Sequence, residues 1–311
     1  MTAIEIQGLV KRFKQHRALD GLDLQVPTGS VFGFLGPNGA GKTTTIRILL
    51  GLAHADAGSA RLLDTDALAH PGAANPQIGY LPDVPSCYPW MTAREYLGFC
   101  AALFDIDRST SKQRIGLLLE LAGLRDVRTP IGGYSRGMKQ RLGIAQAMIN
   151  APRLLILDEP TSALDPMGRH DVLALIDALR GQATVFFSTH ILSDVERVCD
   201  QVAVLSTGRV VAADRTDALR QRYGGAQRLY LELAEDAAGL AEALHGEPWL
   251  TGVTRQPVGW LLDVTDLPAA EHRIPAIVTD RGWGLRRLES TETSLEEVFV
   301  QLIEHESGEP R

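Results

Sequence analysis

Apolar and polar residues alternate with a period of two in the first part of the chain. Residues 4–6 read IEI, and residues 22–26 read LDLQV. Side chains on a strand point alternately to opposite faces, so both patterns predict half-buried strands. Val31 to Leu35 is a continuously apolar run before a glycine-rich turn, as expected of a buried parallel strand. Thr43 to Leu50 then reads as a helix, so strand, turn and helix form half of a βαβ unit.

Helical and strand patterns alternate further along the chain. A helical region begins at Thr92, where Thr92 and Glu95 carry the signature of a capping box, and it continues through 115–121. Asp165-Pro166 opens another helix, because proline is favoured in the first helical turn. The apolar face of that helix holds Val172, Leu175, Ile176 and Leu179. Further strands are predicted at 153–157, 183–188 and 201–205, and the alternation favours an α/β fold.

The composition changes near residues 223–225, which read YGG. The segment beyond carries no phosphate-binding motif. Its patterns predict strands at 227–233, 250–256, 259–265 and 284–289, with helices at 236–245 and 268–280. The order βαββαβ indicates a small ferredoxin-like α+β domain. We therefore expect a first domain over 1–222 and a C-terminal accessory domain over 226–311.

A last helix is predicted near the C-terminus. Ser294 and Glu297 have capping-box spacing. One apolar stripe follows, formed by Leu295, Val298, Phe299, Leu302 and Ile303. The stripe is consistent either with packing on its own domain or with a dimer contact.

Composition narrows the class of protein. The chain has 311 residues, is 45% hydrophobic and carries a net charge of -7, which argues against a dedicated nucleic-acid binder. It has no apolar run of about 18 residues and no signal-peptide layout at its start, so we expect neither a bilayer span nor secretion. Three scattered cysteines fit a reducing cytoplasm.

The turn after the third predicted strand satisfies the P-loop pattern. Its glycines let backbone N–H groups wrap phosphate oxygens, and the following helix adds its positive N-terminal end. Lys42 can reach the β- and γ-phosphates, which makes it both a binding and a catalytic candidate, and the Thr43 hydroxyl can ligate Mg²⁺. The predicted nucleotide-binding residues are Gly36, Pro37, Asn38, Gly39, Ala40, Gly41, Lys42, Thr43 and Thr44.

Two carboxylates follow the apolar run at 154–157. Asp158 and Glu159 would be costly at the end of a buried strand unless they have a function. Asp158 fits the role of holding Mg²⁺, directly or through water. Glu159 fits a general base that polarises the attacking water.

Over roughly residues 2–220 these motifs in combination resemble the ATP-binding subunits of ABC transporters. The segment 134–138 (YSRGM) resembles the family's signature loop, 162–165 (SALD) its D-loop, and 188–190 (STH) its switch-histidine segment. The resemblance implies the P-loop ABC ATPase fold with a helical subdomain at about 84–150. It also implies that Phe13 stacks on adenine and that His190 contacts the γ-phosphate.

The resemblance further implies that the protein works as a pair. Ser135 and Gly137 would contact the γ-phosphate of an ATP held by a second subunit, with a homodimer as the simpler choice. The usual signature is Leu-Ser-Gly-Gly-Gln, and this chain keeps the serine and the second glycine. Where the family has a glutamine after the strand near Ile78, this chain has Asp83, which can ligate Mg²⁺ but cannot donate a hydrogen bond.

The sequence is similar to the branch that pairs with exporter-type membrane subunits, which includes drug, lipid, polysaccharide and copper-maturation systems. Tyr88, Trp90 and Met91 are candidate anchors for a cytoplasmic helix of such a subunit, or they pack within the helical subdomain. We expect an ATPase at the cytoplasmic face of the inner or plasma membrane, attached through its membrane partner. The alternatives are a soluble ABC ATPase of translation or DNA repair, and a nucleotide-dependent regulatory module.

Overall fold

The structure is a computed structural model that describes residues 1–223, 227–234, 239–291 and 299. It divides the chain into two compact units, Met1–Thr216 and Asp217–Arg311. In the part of the chain that is described, no helix is long and apolar enough to cross a membrane.

The first unit contains ten strands and six α-helices within its described residues. The strands are β1 (Thr2–Phe13), β2 (His16–Pro27), β3 (Val31–Leu35), β4 (Ala57–Leu62), β5 (Thr65–Asp66), β6 (Ile78–Leu81), β7 (Leu154–Asp158), β8 (Thr184–Thr189), β9 (Gln201–Ser206) and β10 (Arg209–Arg215). The helices are α1 (Lys42–Leu49), α2 (Ala93–Leu103), α3 (Arg108–Leu121), α4 (Arg136–Ala147), α5 (Pro166–Ala178) and α6 (Leu192–Val198).

A six-stranded sheet forms the centre of the first unit, in the order β10-β9-β3-β8-β7-β6. Strands β9, β3, β8, β7 and β6 are parallel, and β10 is an antiparallel edge. Every residue of β3, β7 and β8 is buried, which explains the apolar runs at 31–35, 154–157 and 185–187 within these strands. Because the register pairs Leu35 with Thr189 and Asp158 with Ser188, the carboxyl ends of β3, β7 and β8 meet at one edge.

A second sheet in this unit is antiparallel, in the order β2-β1-β4-β5. The alternation at 4–6 and 22–26 lies inside β1 and β2, as predicted. Strands β4, β5 and β10 were not predicted from the sequence. In β4 the first three residues are all exposed, so the strand lacks the alternation that identifies a half-buried strand.

The helix starts predicted at Thr92 and Asp165 are confirmed. Thr92 caps α2 as a full capping box with Glu95. Asp165 caps α5 by accepting a hydrogen bond from the Gly168 N–H, and the predicted apolar face of α5 is buried. The segment at 115–121 lies inside α3.

The second unit contains α7 (Thr216–Tyr223, which begins at the last residue of the first unit), β11 (Gln227–Leu233), α8 (Leu240–Ala243), β12 (Leu250–Arg255), β13 (Trp260–Val264), α9 (Leu267–Asp280) and β14 (Leu285–Thr291). The sheet is antiparallel, in the order β12-β13-β11-β14. From β11 onward, chain order and strand order are those of the predicted ferredoxin-like unit, which is therefore confirmed.

The core of the second unit lies between one face of this sheet and α8 and α9. Alternate residues of β11 and β13 are buried with Leu240 and Leu244. Helix α8 is shorter than the predicted 236–245, of which 236–238 lies outside the described residues. The last predicted helix, at 294–303, also lies outside them except for Phe299.

Candidate functional site

The predicted phosphate loop connects β3 to α1 at the edge where the parallel strands end. Gly41 has a φ of 112°, a conformation that L side chains rarely adopt. A Cβ atom on Gly36 would lie 2.5 Å from the Leu205 carbonyl oxygen, so no larger residue fits there. The loop leads directly into the first turn of α1, whose N–H groups have no partner inside the helix. This arrangement is suited to an anion such as a phosphate group.

Lys42 is buried against this loop, with 6% of its side chain exposed. Its Nζ donates hydrogen bonds to the Gly36 carbonyl at 2.6 Å and the Pro37 carbonyl at 3.2 Å. It also forms an ion pair with Glu159 Oε1 at 3.1 Å. The structure therefore brings the predicted lysine and the predicted base into direct contact.

Asp158 ends β7 and is almost completely buried. Its Oδ1 accepts hydrogen bonds from the Ser188 hydroxyl at 2.6 Å and the Thr43 hydroxyl at 3.2 Å. Burial raises the pKa of this carboxyl above its usual value, the two hydroxyl bonds oppose the rise, and the charges of Glu159 and Asp83 add to it. Asp158 and Thr43, the two predicted magnesium ligands of this strand and loop, are thus adjacent.

Glu159 follows in a left-handed backbone conformation, with a φ of 50°. For a residue with a side chain this conformation costs of order 1–3 kcal/mol. Its N–H donates to the Ser188 carbonyl and hydroxyl, each at 3.1 Å. Its Oε2 lies 2.9 Å from His190 Nδ1, so its two carboxylate oxygens separately meet Lys42 and His190.

Asp83 follows β6 and is exposed. Its Oδ1 accepts a hydrogen bond from the Ser162 hydroxyl at 2.7 Å. This bond joins the segment after β6 to the 162–165 segment. The charge of Asp83 contributes to the raised pKa of Asp158, so the two carboxylates lie near each other.

Ser135 and Gly137 lie at the start of α4. The Ser135 hydroxyl caps the helix by accepting from the Met138 N–H at 3.2 Å. Ser135 is exposed, and a Cβ on Gly137 would meet Gly168 Cα at 3.6 Å. The structure thus places Gly137 against the first turn of α5.

Phe13 ends β1, and its side chain is 50% exposed. The ammonium group of Lys11 lies 5.2 Å from the centre of its ring. An exposed ring in this position is available for stacking on another planar group.

A cavity of about 690 Å³ opens beside β6. Its walls include Leu50, Ile78, Tyr80, Pro85, Tyr96 and Phe104. Pro85, Ser86 and Cys87 of the 84–91 segment line it. Tyr88 instead packs on Trp90, with ring centres 5.2 Å apart and planes tilted by 42°, and meets Phe99 edge-on. Trp90 is 69% exposed, so this ring does not pack into the core. The Met91 carbonyl accepts a hydrogen bond from the Ile131 N–H.

Ser188 belongs to the 188–190 segment, but the sequence alone assigned it no role. The structure makes it the group that connects Asp158 to Glu159. The available signal was its position at the end of β8, opposite Asp158 in the parallel register. A second group around Asp194, on α6, was also not predicted from the sequence.

Comparison with known proteins places this geometry in a family. The family model described as ABC transporter matches residues 19–162, which include the phosphate loop, Asp158 and Glu159. The bacitracin transport ATP-binding protein BcrA of Bacillus licheniformis is 34% identical, over 97% of this chain and 97% of its own length. The daunorubicin/doxorubicin resistance ATP-binding protein DrrA of Streptomyces peucetius is 36% identical, over 97% and 93%.

A solved structure of an ATP-binding subunit of an ABC transporter is similar in fold and sequence. It superposes with a TM-score of 0.64 at 30% identity, covering 71% of this chain and 93% of that one. The structure and the relatives agree with the P-loop NTPase fold and with the motifs found in the sequence. This chain therefore belongs to the ABC transporter family, as an ATP-binding subunit that hydrolyses ATP.

Proposed function

We propose that this chain powers export through a separate membrane subunit and acts as a homodimer that closes around ATP. The observation that carries the proposal is the contact set of Glu159, which joins Lys42 at 3.1 Å and His190 at 2.9 Å beside a phosphate loop. A regulatory module with little turnover would not need this combination. Two similar proteins are named for bacitracin transport and for daunorubicin/doxorubicin resistance. These names support a role in export over a role in translation or repair.

The nucleotide would be held by the loop from Gly36 to Thr44. Backbone N–H groups and the start of α1 bind the phosphates, and Lys42 turns from the loop carbonyls towards the β- and γ-phosphates. Phe13, at the end of β1, would stack on the adenine.

Mg²⁺ fits the donors at the end of β7. Mg²⁺ prefers oxygen ligands and is usually bound by one or two carboxylates together with substrate phosphates and water. The Thr43 hydroxyl and the Asp158 carboxylate are oxygen donors 3.2 Å apart, and Asp83 supplies a further carboxylate nearby. When bound, the ion would neutralise charge on the phosphates. It would also offset the cost of burying Asp158 in its charged form.

Glu159 would act as the general base that accepts a proton from the attacking water. His190 lies beside the same carboxylate and would orient it and contact the γ-phosphate. The left-handed backbone at Glu159 aims the carboxylate away from β7 and towards the phosphate loop, where Lys42 already meets it.

Ser135 and Gly137 would complete the site of the partner subunit. The exposed start of α4 combines a hydroxyl, free helix N–H groups and a glycine that leaves the backbone accessible. Head-to-tail pairing of two copies then places this helix start on the ATP of the other copy. Closure follows because ATP binds the closed dimer better than the open one.

The membrane subunit would dock a cytoplasmic helix on the 84–91 segment. The cavity beside β6 and the exposed Tyr88–Trp90 pair provide apolar contact area, and Met91 lies next to them in sequence. Asp83 connects this surface to the ATP site through Ser162. Through this partner the protein would sit at the cytoplasmic face of the inner or plasma membrane.

In this proposal residues 1–222 are the nucleotide-binding domain, with the helical subdomain at about 84–150, and residues 226–311 are an accessory domain. The test is to co-express the chain with a candidate membrane subunit, chosen from neighbouring genes that encode spanning helices, and to purify through a tag on that candidate. We expect co-purification and a change in ATP hydrolysis on assembly. ATP hydrolysis by a chain that associates with no membrane protein would contradict the proposal.

A further inference from the structure

A buried charged cluster lies beside the site and has no part in the roles above. Asp194 is in the first turn of α6 and is 0% exposed. Its Oδ2 accepts a hydrogen bond from the Thr161 hydroxyl at 2.5 Å, and its Oδ1 forms an ion pair with Arg169 Nε at 2.5 Å. A second nitrogen of Arg169 donates to the Ser193 hydroxyl. A buried carboxylate is costly unless it is paired and hydrogen-bonded, and here both oxygens are used.

The cluster joins the two segments that carry Glu159 and His190. Thr161 lies two residues after Glu159, and Asp194 lies four residues after His190. The Thr161–Asp194 bond therefore links the same two segments a second time, in addition to the Glu159–His190 contact of 2.9 Å. Arg169, on α5, holds the Asp194 carboxylate from a third element.

The backbone around Glu159 needs such a restraint. Glu159 and Ala163 both have positive φ values, 50° and 49°, so the turn between them stores strain. Strained residues keep their conformation only where their surroundings over-determine it. Thr161 lies between the two strained residues, and its buried hydrogen bond to Asp194 ties this turn to α6.

We propose that the Thr161–Asp194–Arg169 cluster positions the Glu159 carboxylate, so that Thr161 and Asp194 set the rate of hydrolysis without touching the nucleotide. The inference rests on the proposed role of Glu159 as the base. Thr161 is the better probe, because removing its hydroxyl leaves Asp194 paired with Arg169 and exposes no uncompensated charge.

The experiment compares Thr161→Val with Thr161→Ser in the full chain. Valine has nearly the same shape but lacks the hydroxyl, whereas serine keeps it. We expect Thr161→Val to lower kcat by about 10- to 100-fold, the range that a misplacement of about 1 Å produces. KM for ATP should stay within about twofold of the wild type, and Thr161→Ser should restore most of kcat.

Thr184→Val is the matched control. Thr184 is also a buried threonine, and its hydroxyl accepts from the Gly29 N–H at 2.9 Å where β8 begins, whereas the site lies where β8 ends. It should lower the melting temperature about as much as Thr161→Val does while kcat stays near the wild-type value. Equal losses of kcat in the two variants would show that Thr161 contributes only to general stability, which would overturn the proposal.

A double variant separates positioning from a merely structural role. If Thr161 acts through Glu159, then Thr161→Val should cause little further loss of kcat in a Glu159→Gln background. The same fold loss in both backgrounds would overturn the positioning role. Wild-type turnover in Glu159→Gln alone would instead refute the base assignment. Strong loss in Glu159→Gln with normal turnover in Thr161→Val would refute this inference and leave the proposed function intact.

Discussion

The Ser188 hydroxyl donates a hydrogen bond to Asp158 Oδ1 at 2.6 Å and accepts one from the Glu159 N–H at 3.1 Å. One side chain at the end of β8 thus fixes both acidic residues at the end of β7. The two carboxylates nevertheless face different neighbours. Asp158 meets hydroxyl groups and is buried, whereas Glu159 meets Lys42 and His190. This difference in surroundings supports different proposed roles, with one acid for the metal ion and the other for the proton.

The first prediction concerns the proposed base. Glu159→Gln keeps the side-chain shape but removes the proton acceptor, so turnover should fall by about 100-fold or more. ATP binding should persist, and the ATP-bound dimer should accumulate because hydrolysis no longer reopens it. Steady-state ATP hydrolysis and size-exclusion chromatography with ATP provide the measurements. Unchanged hydrolysis would rule out Glu159 as the base.

The second prediction concerns Lys42. Its ammonium group already donates to two loop carbonyls, so it is directed into the space that the loop encloses. Lys42→Ala removes charge-assisted hydrogen bonds to the phosphates, each worth about 1.5–3 kcal/mol, and should weaken ATP binding by at least about tenfold. Equilibrium titration with a fluorescent ATP analogue measures this. A variant with normal affinity would contradict the phosphate-site assignment.

Much of the fold and the placement of the acids could be predicted because their signals are local. The loop at 36–44 has glycines where the backbone needs them, and the apolar run at 154–157 ends where the buried strand ends. The β11 and β13 alternation predicts their buried faces directly. Each of these elements depends on the chemistry of its own few residues.

The remaining relationships could not be predicted because they join residues that are distant in sequence. Asp83 and Ser162 are 79 positions apart, and Thr161 and Asp194 are 33 apart. Their geometry depends on the order of β6, β7 and β8 in the sheet, which no single segment encodes. Strand β4 was not predicted for a similar reason. Its pairing with β1, and not a pattern in its own sequence, makes it a strand.

The third prediction concerns the docking surface. Trp90→Ala should weaken binding to the membrane subunit by about 2 kcal/mol or more, the effect of losing a central aromatic anchor. Leu117→Ala is the control, because Leu117 on α3 is equally exposed, at 69% for both side chains. Binding is measured by co-purification and by titration in detergent. If both variants bind as the wild type does, Trp90 is not an anchor.

The fourth prediction is a trade between stability and function at Asp158. Burial raises the pKa of this carboxyl, so the folded protein binds its proton more tightly than the unfolded chain does. The protonated form therefore favours folding below the unfolded value of about 3.9, and that contribution is lost as the pH rises through the raised folded pKa. At pH 8 the charged Asp158 carboxylate therefore destabilises the folded state.

Asp158→Asn should remove this destabilisation, because asparagine carries no charge. Both hydroxyl bonds should remain, because they go to Oδ1, an oxygen that asparagine keeps. Without nucleotide or Mg²⁺, the variant should melt at a higher temperature than the wild type at pH 8, by about 2–4 °C for each kcal/mol recovered in a unit of this size. The difference should shrink as the pH is lowered towards 4, since the wild-type carboxyl becomes protonated. Mg²⁺-dependent ATP hydrolysis should fall sharply in the same variant. Scanning calorimetry across the pH series makes the comparison, and a gain that grows at low pH would show that burial does not dominate at Asp158.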